Sequence, residues 1–276
     1  MSRKKIEREF YDSKARSFSK AKRRKLASHR DRFESIVQRL KKAGAIRYAG
    51  SFLEEYIPGL GVQKANIILD LGGRYLSGKL ARNCGFQSCI LNISRLEIQE
   101  GVESARRDEN LFIWFVQGDA ENLPFRDQVF HFVYCSAILH HLPNPFTGLK
   151  EIYRVLRFGG KVIIVGEPNP HDLVGSLGRK TKWLFSLGDS SPSEKPLGES
   201  RLTTYLGRNN FKIISIKHRR LFLCYLPKIL QNYPSAIPLF DSKILDLLIF
   251  VEMFLMEVLH LNKYFSAGVE IVAGKA

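Results

Sequence analysis

Apolar residues in the middle of this chain fall into short unbroken runs. Asn66 to Leu71, Phe86 to Asn92, Leu111 to Val116, Phe130 to Cys135 and Lys161 to Val165 are such runs. A run of that length bounded by polar or turn residues reads as a strand buried on both faces. Helical stretches separate them. One follows the first run to about Asn83. A second opens at Ser94, where Glu97 three residues on completes a capping box. A third starts near Pro145 and reaches Leu156, and Phe158-Gly159-Gly160 turns it into the fifth run. Strands alternating with helices predict an α/β fold with a doubly wound, parallel sheet.

The flanks read differently. Phe33, Ile36, Val37 and Leu40 recur at helical spacing, and Gly44 is a stop signal. Pro58-Gly59 and Gly61 mark a break, which predicts a helical arm or cap over residues 1–60 and the α/β domain over 61–276. Two insertions interrupt that domain, at about 168–200 and 221–262. The first holds a helix from Asp172 to Leu187 and a Ser/Pro/Gly/Asp loop. The second is apolar and broken by Pro227, Pro234 and Pro238. Phe211 to Lys217 and Phe265 to Ala273 supply two more strands.

Charge changes the picture more than composition does. The chain carries a net charge of +16 over 276 residues, which implies an anionic partner: membrane surface, nucleic acid or phosphorylated substrate. Much of the excess is early, from Lys14 to Arg32, where a solvated helix face explains it equally well. The four cysteines have no metal-ligand spacing, and Cys89 and Cys135 sit in apolar runs. They predict buried thiols and a reducing, cytoplasmic setting. The stretch from Met1 to Phe10 is charged and has no apolar core of a signal peptide. The apolar run from Ile244 to Leu261 contains Asp246, Glu252 and Glu257, which argues for a buried or interfacial helix over a membrane span.

Candidate chemistry gathers at the ends of the strands. Asp70-Leu71-Gly72-Gly73 begins a loop in which bare backbone can approach a ligand; it also suits an ordinary tight turn. Asn92 stands where an acid grips ribose hydroxyls, and it can equally cap a helix. Asp119 follows the third strand and can accept from an amino group, or simply open a turn. His140 and His141 follow the fourth strand, one expected to point inward and one outward. Glu167 at the mouth of the fifth is a second candidate base or an anchor. Tyr11 can fold over such a pocket or pack beside it.

Three segments carry a resemblance. They are Gly118-Asp119-Ala120-Glu121-Asn122-Leu123-Pro124-Phe125, then Ser136-Ala137-Ile138-Leu139-His140-His141-Leu142, and Glu151 to Gly160. Together they resemble the class I S-adenosylmethionine-dependent methyltransferases, in the branch that modifies quinones, sterols and other small molecules. The resemblance implies a Rossmann-like sheet of seven strands with the last antiparallel, and S-adenosyl-L-methionine as cofactor. It implies Asp119 at the adenine, Asn92 at the ribose and Gly72 with its neighbours, Gly73 among them, at the methionine part, with Asp70, Ile93, Ala120 and Ser136 also among the cofactor-binding residues. His140, His141 and Glu167 would be the catalytic candidates, and Tyr11 a lid. Arg74 and Leu76 depart from the family's Asp-x-Gly-x-Gly-x-Gly loop, though a realignment onto Gly78 is open. Asn92 replaces the ribose acid, and His131 stands where the family commonly has Asp. Three readings remain at this point: methyl transfer to a small lipophilic acceptor, a methyltransferase-like binding or scaffold module, and an RNA-directed methyltransferase or binder.

Overall fold

The computed structural model describes residues 3–17, 29–43, 57, 59, 61–73, 76–109, 112–170, 195–218, 223–258, 261, 266 and 268–276. The seven strands are β1 (Ile67–Leu71), β2 (Gln87–Asn92), β3 (Ile113–Gln117), β4 (Phe130–Ser136), β5 (Leu156–Pro168), β6 (Phe211–His218) and β7 (Gly268–Lys275). They form one sheet in the order β3-β2-β1-β4-β5-β7-β6. Every pairing from β3 to β5 is parallel, and β7 runs antiparallel between β5 and β6. The helices are α1 (Arg3–Ser17), α2 (Arg30–Lys42), α3 (Leu76–Cys84), α4 (Arg95–Arg107), α5 (Pro145–Val155), α6 (Gly198–Arg208), α7 (Leu226–Asn232) and α8 (Ser242–Met253).

The alternation of side chains along each strand divides the core between two faces. Leu69, Leu71, Leu91, Val133, Val162 and Ile164 pack with Leu149, Ile152 and Val155 of α5 and Leu202 and Leu206 of α6. Ile68, Tyr134, Ile163 and Val165 face the other way, onto Ala81 of α3 and Phe86. The two thiols Cys89 and Cys135 are buried as expected, and burial pushes Cys89 up to about 12.

Two strand boundaries differ from the reading of the sequence. The stretch Phe158-Gly159-Gly160 is part of β5 and does not precede it. Phe130 pairs with Leu156 and Phe132 with Lys161, so the residues between bulge out of the ladder, and Gly159 takes a φ of +73° to allow it. β7 begins at Gly268, three residues later than the apolar pattern suggested. The helix expected from Asp172 to Leu187 lies outside the described residues, as do Gly44 and most of the basic stretch after Ser17.

The two N-terminal helices go to different places. α1 packs on α4 beside the carboxyl ends of the strands. α2 instead joins the second insertion. Its Ile36 and Leu40 are buried with Leu223, Leu226, Leu230, Ile237 and Leu245. Arg39 Nη2 meets Asp246 Oδ1 at 2.5 Å, and Arg32 Nη2 donates to the Pro238 carbonyl at 3.0 Å. α8 continues as a single π-helical turn, Phe254–Val258. Its inner face packs on this cluster, and its outer face leaves Ile244, Leu247, Phe250, Phe254 and Val258 exposed. Among the described residues, no helix is long and apolar enough to cross a membrane.

Candidate functional site

The strand order reverses between β1 and β4, and in an open α/β sheet a crevice opens there beyond the carboxyl ends of the strands. A cavity of about 330 Å³ occupies it, lined by Gly72, Asn92, Ile93, Asp119, Ala120, Ser136, Ile138 and His141 from the sheet and by Lys4, Glu7 and Tyr11 from α1. That volume is at the lower end of the usual range for small-molecule sites, about 300–1,000 Å³.

The loop after β1 is shaped by close approach. Gly72 has a φ of +76°, and a Cβ there would stand 3.0 Å from Ile138 Cδ1. A Cβ on Gly73 would stand 2.2 Å from the Asp70 carboxylate, so the loop tolerates no side chain at that point. Asp70 is buried beneath it. Burial pushes its carboxyl up to about 6, against a hydrogen bond from Ser77, and Oδ1 has no partner among the described residues. Asp70 and Gly73 therefore support the cavity without lining it. Gly78 lies inside α3, so it is a helix residue and not a glycine of the loop. Arg74 lies outside the described residues; Leu76 is the first residue of α3.

At the end of β2 a small polar knot forms. Asn92 Oδ1 accepts from the Ser94 N–H at 2.9 Å. Asn92 Nδ2 donates to Glu97 Oε2 at 2.8 Å and to the Gly73 carbonyl at 3.2 Å. Ser94 caps α4 by accepting from the Glu97 N–H at 3.2 Å, and its hydroxyl donates to Asp12 of α1 at 2.5 Å. The expected cap is present, and it fastens the lid as well as the helix.

Asp119 lies one strand further. Its Oδ1 accepts from the Glu121 N–H at 2.9 Å, which is the turn read from the sequence. Its Oδ2 is bonded by Lys4 Nζ, which also meets Glu121 Oε2 at 2.9 Å. Burial works to lower the Lys4 pKa, but the two carboxylates outweigh it and raise it.

The histidine pair divides its roles. Both rings are largely buried, but only His141 lines the cavity. Its Nε2 is 2.8 Å from the Tyr11 hydroxyl and its Nδ1 3.5 Å from Glu7 Oε2. His140 turns away, and its Nδ1 meets Glu167 Oε2 at 2.9 Å. Glu167 is fully buried and also accepts from the backbone N–H groups of Ile138, Leu139 and His140, at 3.0, 2.9 and 3.1 Å. The expectation that Glu167 and His140 face a ligand is therefore corrected. They form a buried pair that shapes the loop after β4, because four bonding groups, three backbone N–H groups and the His140 ring, enclose the carboxylate away from the crevice. Burial alone would raise Glu167; His140 and the backbone donors hold it below the usual carboxylate range. His131, outside the crevice, accepts from the Ile67 N–H at 3.1 Å and ties β4 to the start of β1.

Comparison with known proteins agrees with this geometry. A family model described as a methyltransferase domain matches residues 69–164. By that match, residues 69–164 carry a methyltransferase domain. The chain is 28% identical over 150 residues to the demethylmenaquinone methyltransferase of Geobacillus sp. (strain WCH70), covering 53% of this chain and 61% of that one. The chain thus spans about six-tenths of the length of the curated relatives it matches first. The geranyl diphosphate C-methyltransferase of Streptomyces coelicolor A3(2) shares the fold with a TM-score of 0.57 at 16% identity, over 82% of this chain and 79% of that one. So does the [4+2]-cyclase SpnF, with a TM-score of 0.57 at 15% identity over 82% and 80% of the two chains.

The structure brings to the cavity residues that motif reading overlooks: Lys4, Glu7 and Glu97 in its lining, and Asp12 on the Ser94 hydroxyl. The first two had a signal. Lys4, Glu7 and Tyr11 recur at i, i+3 and i+7, so they share one face of α1. Replacing Glu167 by Gln is expected to cost the domain about 3–5 kcal/mol in urea unfolding at neutral pH, as for other broken buried pairs. Because the native pKa is depressed, the wild-type advantage is present above the ordinary value of 4.5 and fades as the pH falls below it. The two unfolding curves should converge in acid; a gap that stays constant there would refute the assignment.

Proposed function

We propose that this chain transfers the methyl group of S-adenosylmethionine to a small, lipophilic acceptor. The observation that carries the reading is the convergence of Gly72, the Asn92 knot and Asp119 on one cavity. The donor set suits that cofactor. Asp119 offers an acceptor to an exocyclic amine, the β2 corner offers hydrogen-bonding groups to a diol, and the bare backbone at Gly72 admits close approach. When bound, the cofactor supplies an already activated methyl, so the chain's own work is alignment and the exclusion of water.

His141 is placed for any proton that must leave the acceptor. With Nε2 accepting from Tyr11, the ring proton sits on Nδ1 and faces Glu7. An acceptor hydroxyl that displaces Tyr11 would give its proton to Nε2, and Glu7 would stabilise the imidazolium. The printed names of two relatives, a demethylmenaquinone methyltransferase and a 2-methyl-6-phytyl-1,4-hydroquinone methyltransferase, are consistent with a greasy acceptor that bears a hydroxyl.

The same reading extends to a surface. The exposed stripe of Ile244, Leu247, Phe250, Phe254 and Val258 is proposed to rest on an anionic bilayer, the natural reservoir of such an acceptor. A net charge of +16 opposes pairing of two copies across that stripe and favours an acidic lipid surface.

Two measurements test this. Isothermal titration with S-adenosylmethionine should give saturable binding, weakened by roughly tenfold or more in Asp119→Ala, since a hydrogen bond to a charged group is worth about 1.5–3 kcal/mol. No heat and no thermal shift at millimolar cofactor would sink the proposal. Co-sedimentation should show binding to phosphatidylserine-containing vesicles but not to neutral ones, and Leu247→Glu with Phe250→Glu should abolish it. Undiminished binding by that variant would remove the α8 stripe from the account.

A further inference from the structure

The corner at the end of β2 contains a carboxylate, but it is not on the strand. Asn92 occupies the position at which the resemblance implies a ribose contact, and its amide is committed inside the protein. Both Nδ2 hydrogens have acceptors, Glu97 Oε2 at 2.8 Å and the Gly73 carbonyl at 3.2 Å. One Oδ1 lone pair is taken by the Ser94 N–H at 2.9 Å. An amide used in this way keeps one acceptor site, whereas a vicinal diol presents two donors.

Glu97 supplies what is missing. It lines the same cavity as Asn92 and Ile93, and it is 4% exposed. As a carboxylate it only accepts, through about four lone-pair sites on two oxygens. It sits in the first turn of α4, where the helix dipole favours a negative charge, and its own N–H is fixed by the Ser94 cap. The amide of Asn92 holds Oε2, which fixes the direction of the whole carboxylate.

We propose that Glu97 is the group that binds the ribose hydroxyls of the nucleoside ligand, with Asn92 as the residue that positions it. The negative charge has moved from the strand end onto the first helical turn beyond it. This rests on the cofactor reading above. It gives the Asn92–Glu97 pair a definite polarity: amide on the strand, acid on the helix. Asn92→Asp alone would put two carboxylates at hydrogen-bond distance and remove the donor between them. It should therefore weaken the site, although it restores the family's residue.

The test compares S-adenosylhomocysteine with its 2′-deoxy analogue, by titration calorimetry, on the full chain. The wild type should prefer the ribose ligand by about tenfold or more, the scale of a charge-assisted hydrogen bond. In Glu97→Gln the affinity for the ribose ligand should fall by about tenfold and the preference should approach one. The exchanged pair, Asn92→Asp with Glu97→Gln, keeps the amide–acid contact and returns the charge to the strand. It should recover most of the preference, and it provides a folded test if the single variant is unstable. A merely structural Glu97 would lower both affinities together and leave their ratio unchanged. An unchanged ratio in Glu97→Gln, or no preference in the exchanged pair, overturns the inference. A wild type that binds both ligands without preference overturns this inference alone; one that binds neither overturns the cofactor reading and takes this inference with it.

Discussion

The site is organised by one buried carboxylate. Glu167, at the end of β5, gathers three consecutive backbone N–H groups and the His140 imidazole. A fully buried acid is tolerable only when its oxygens are satisfied in this way. The consequence is a fixed course for the chain after β4. Ala137 enters the left-handed region with a φ of 52°, a conformation that a non-glycine residue adopts only when its surroundings impose it. From there Ile138 is held against Gly72, and His141 is delivered to Tyr11 and Glu7. The floor of the cavity and its candidate base are thus both set by a residue that reaches neither the cavity lining nor solvent.

The roof is set by electrostatics of a different kind. α1 reaches over the crevice, and its Lys4 binds Asp119 and Glu121 while its Asp12 accepts from Ser94. Lys4 is about two-fifths exposed, so this is a screened and exchangeable contact, unlike the Glu167 knot. An amino group brought to Asp119 by a ligand and the ammonium of Lys4 are alternative donors to the same oxygen. A rigid floor under an exchangeable roof suits a site that must admit two different molecules in succession.

Much of this was legible in the sequence, for physical reasons. The strands of a parallel sheet are buried on both faces and read as unbroken apolar runs, so β1, β2 and β4 were found almost to the residue. β5 was misjudged at its start, because Phe158-Gly159-Gly160 reads as a turn and the ladder resumes around it. The depth of a side chain is not written in its neighbours. His140 and His141 are adjacent, yet only pairing with Glu167 decides which one reaches the crevice. Lys4 and Glu7 were passed over within a charged segment, because charge alone does not say which residues of a helix face a cavity. Glu97 was read as half of a capping box, and only the fold shows its carboxylate turned towards Asn92.

The fold by itself does not decide the chemistry. A [4+2]-cyclase and a C-methyltransferase share it at the same TM-score, 0.57. The decision rests on the residues of the crevice, and the weakest of these in the sequence was Asn92. Losing the strand-end acid, taken alone, favours a domain that has abandoned its nucleoside ligand. The proposed role of Glu97 answers it: an acid held in the first turn of α4 by the Asn92 amide lines the same cavity, where the hydroxyl donors of a ligand would meet it.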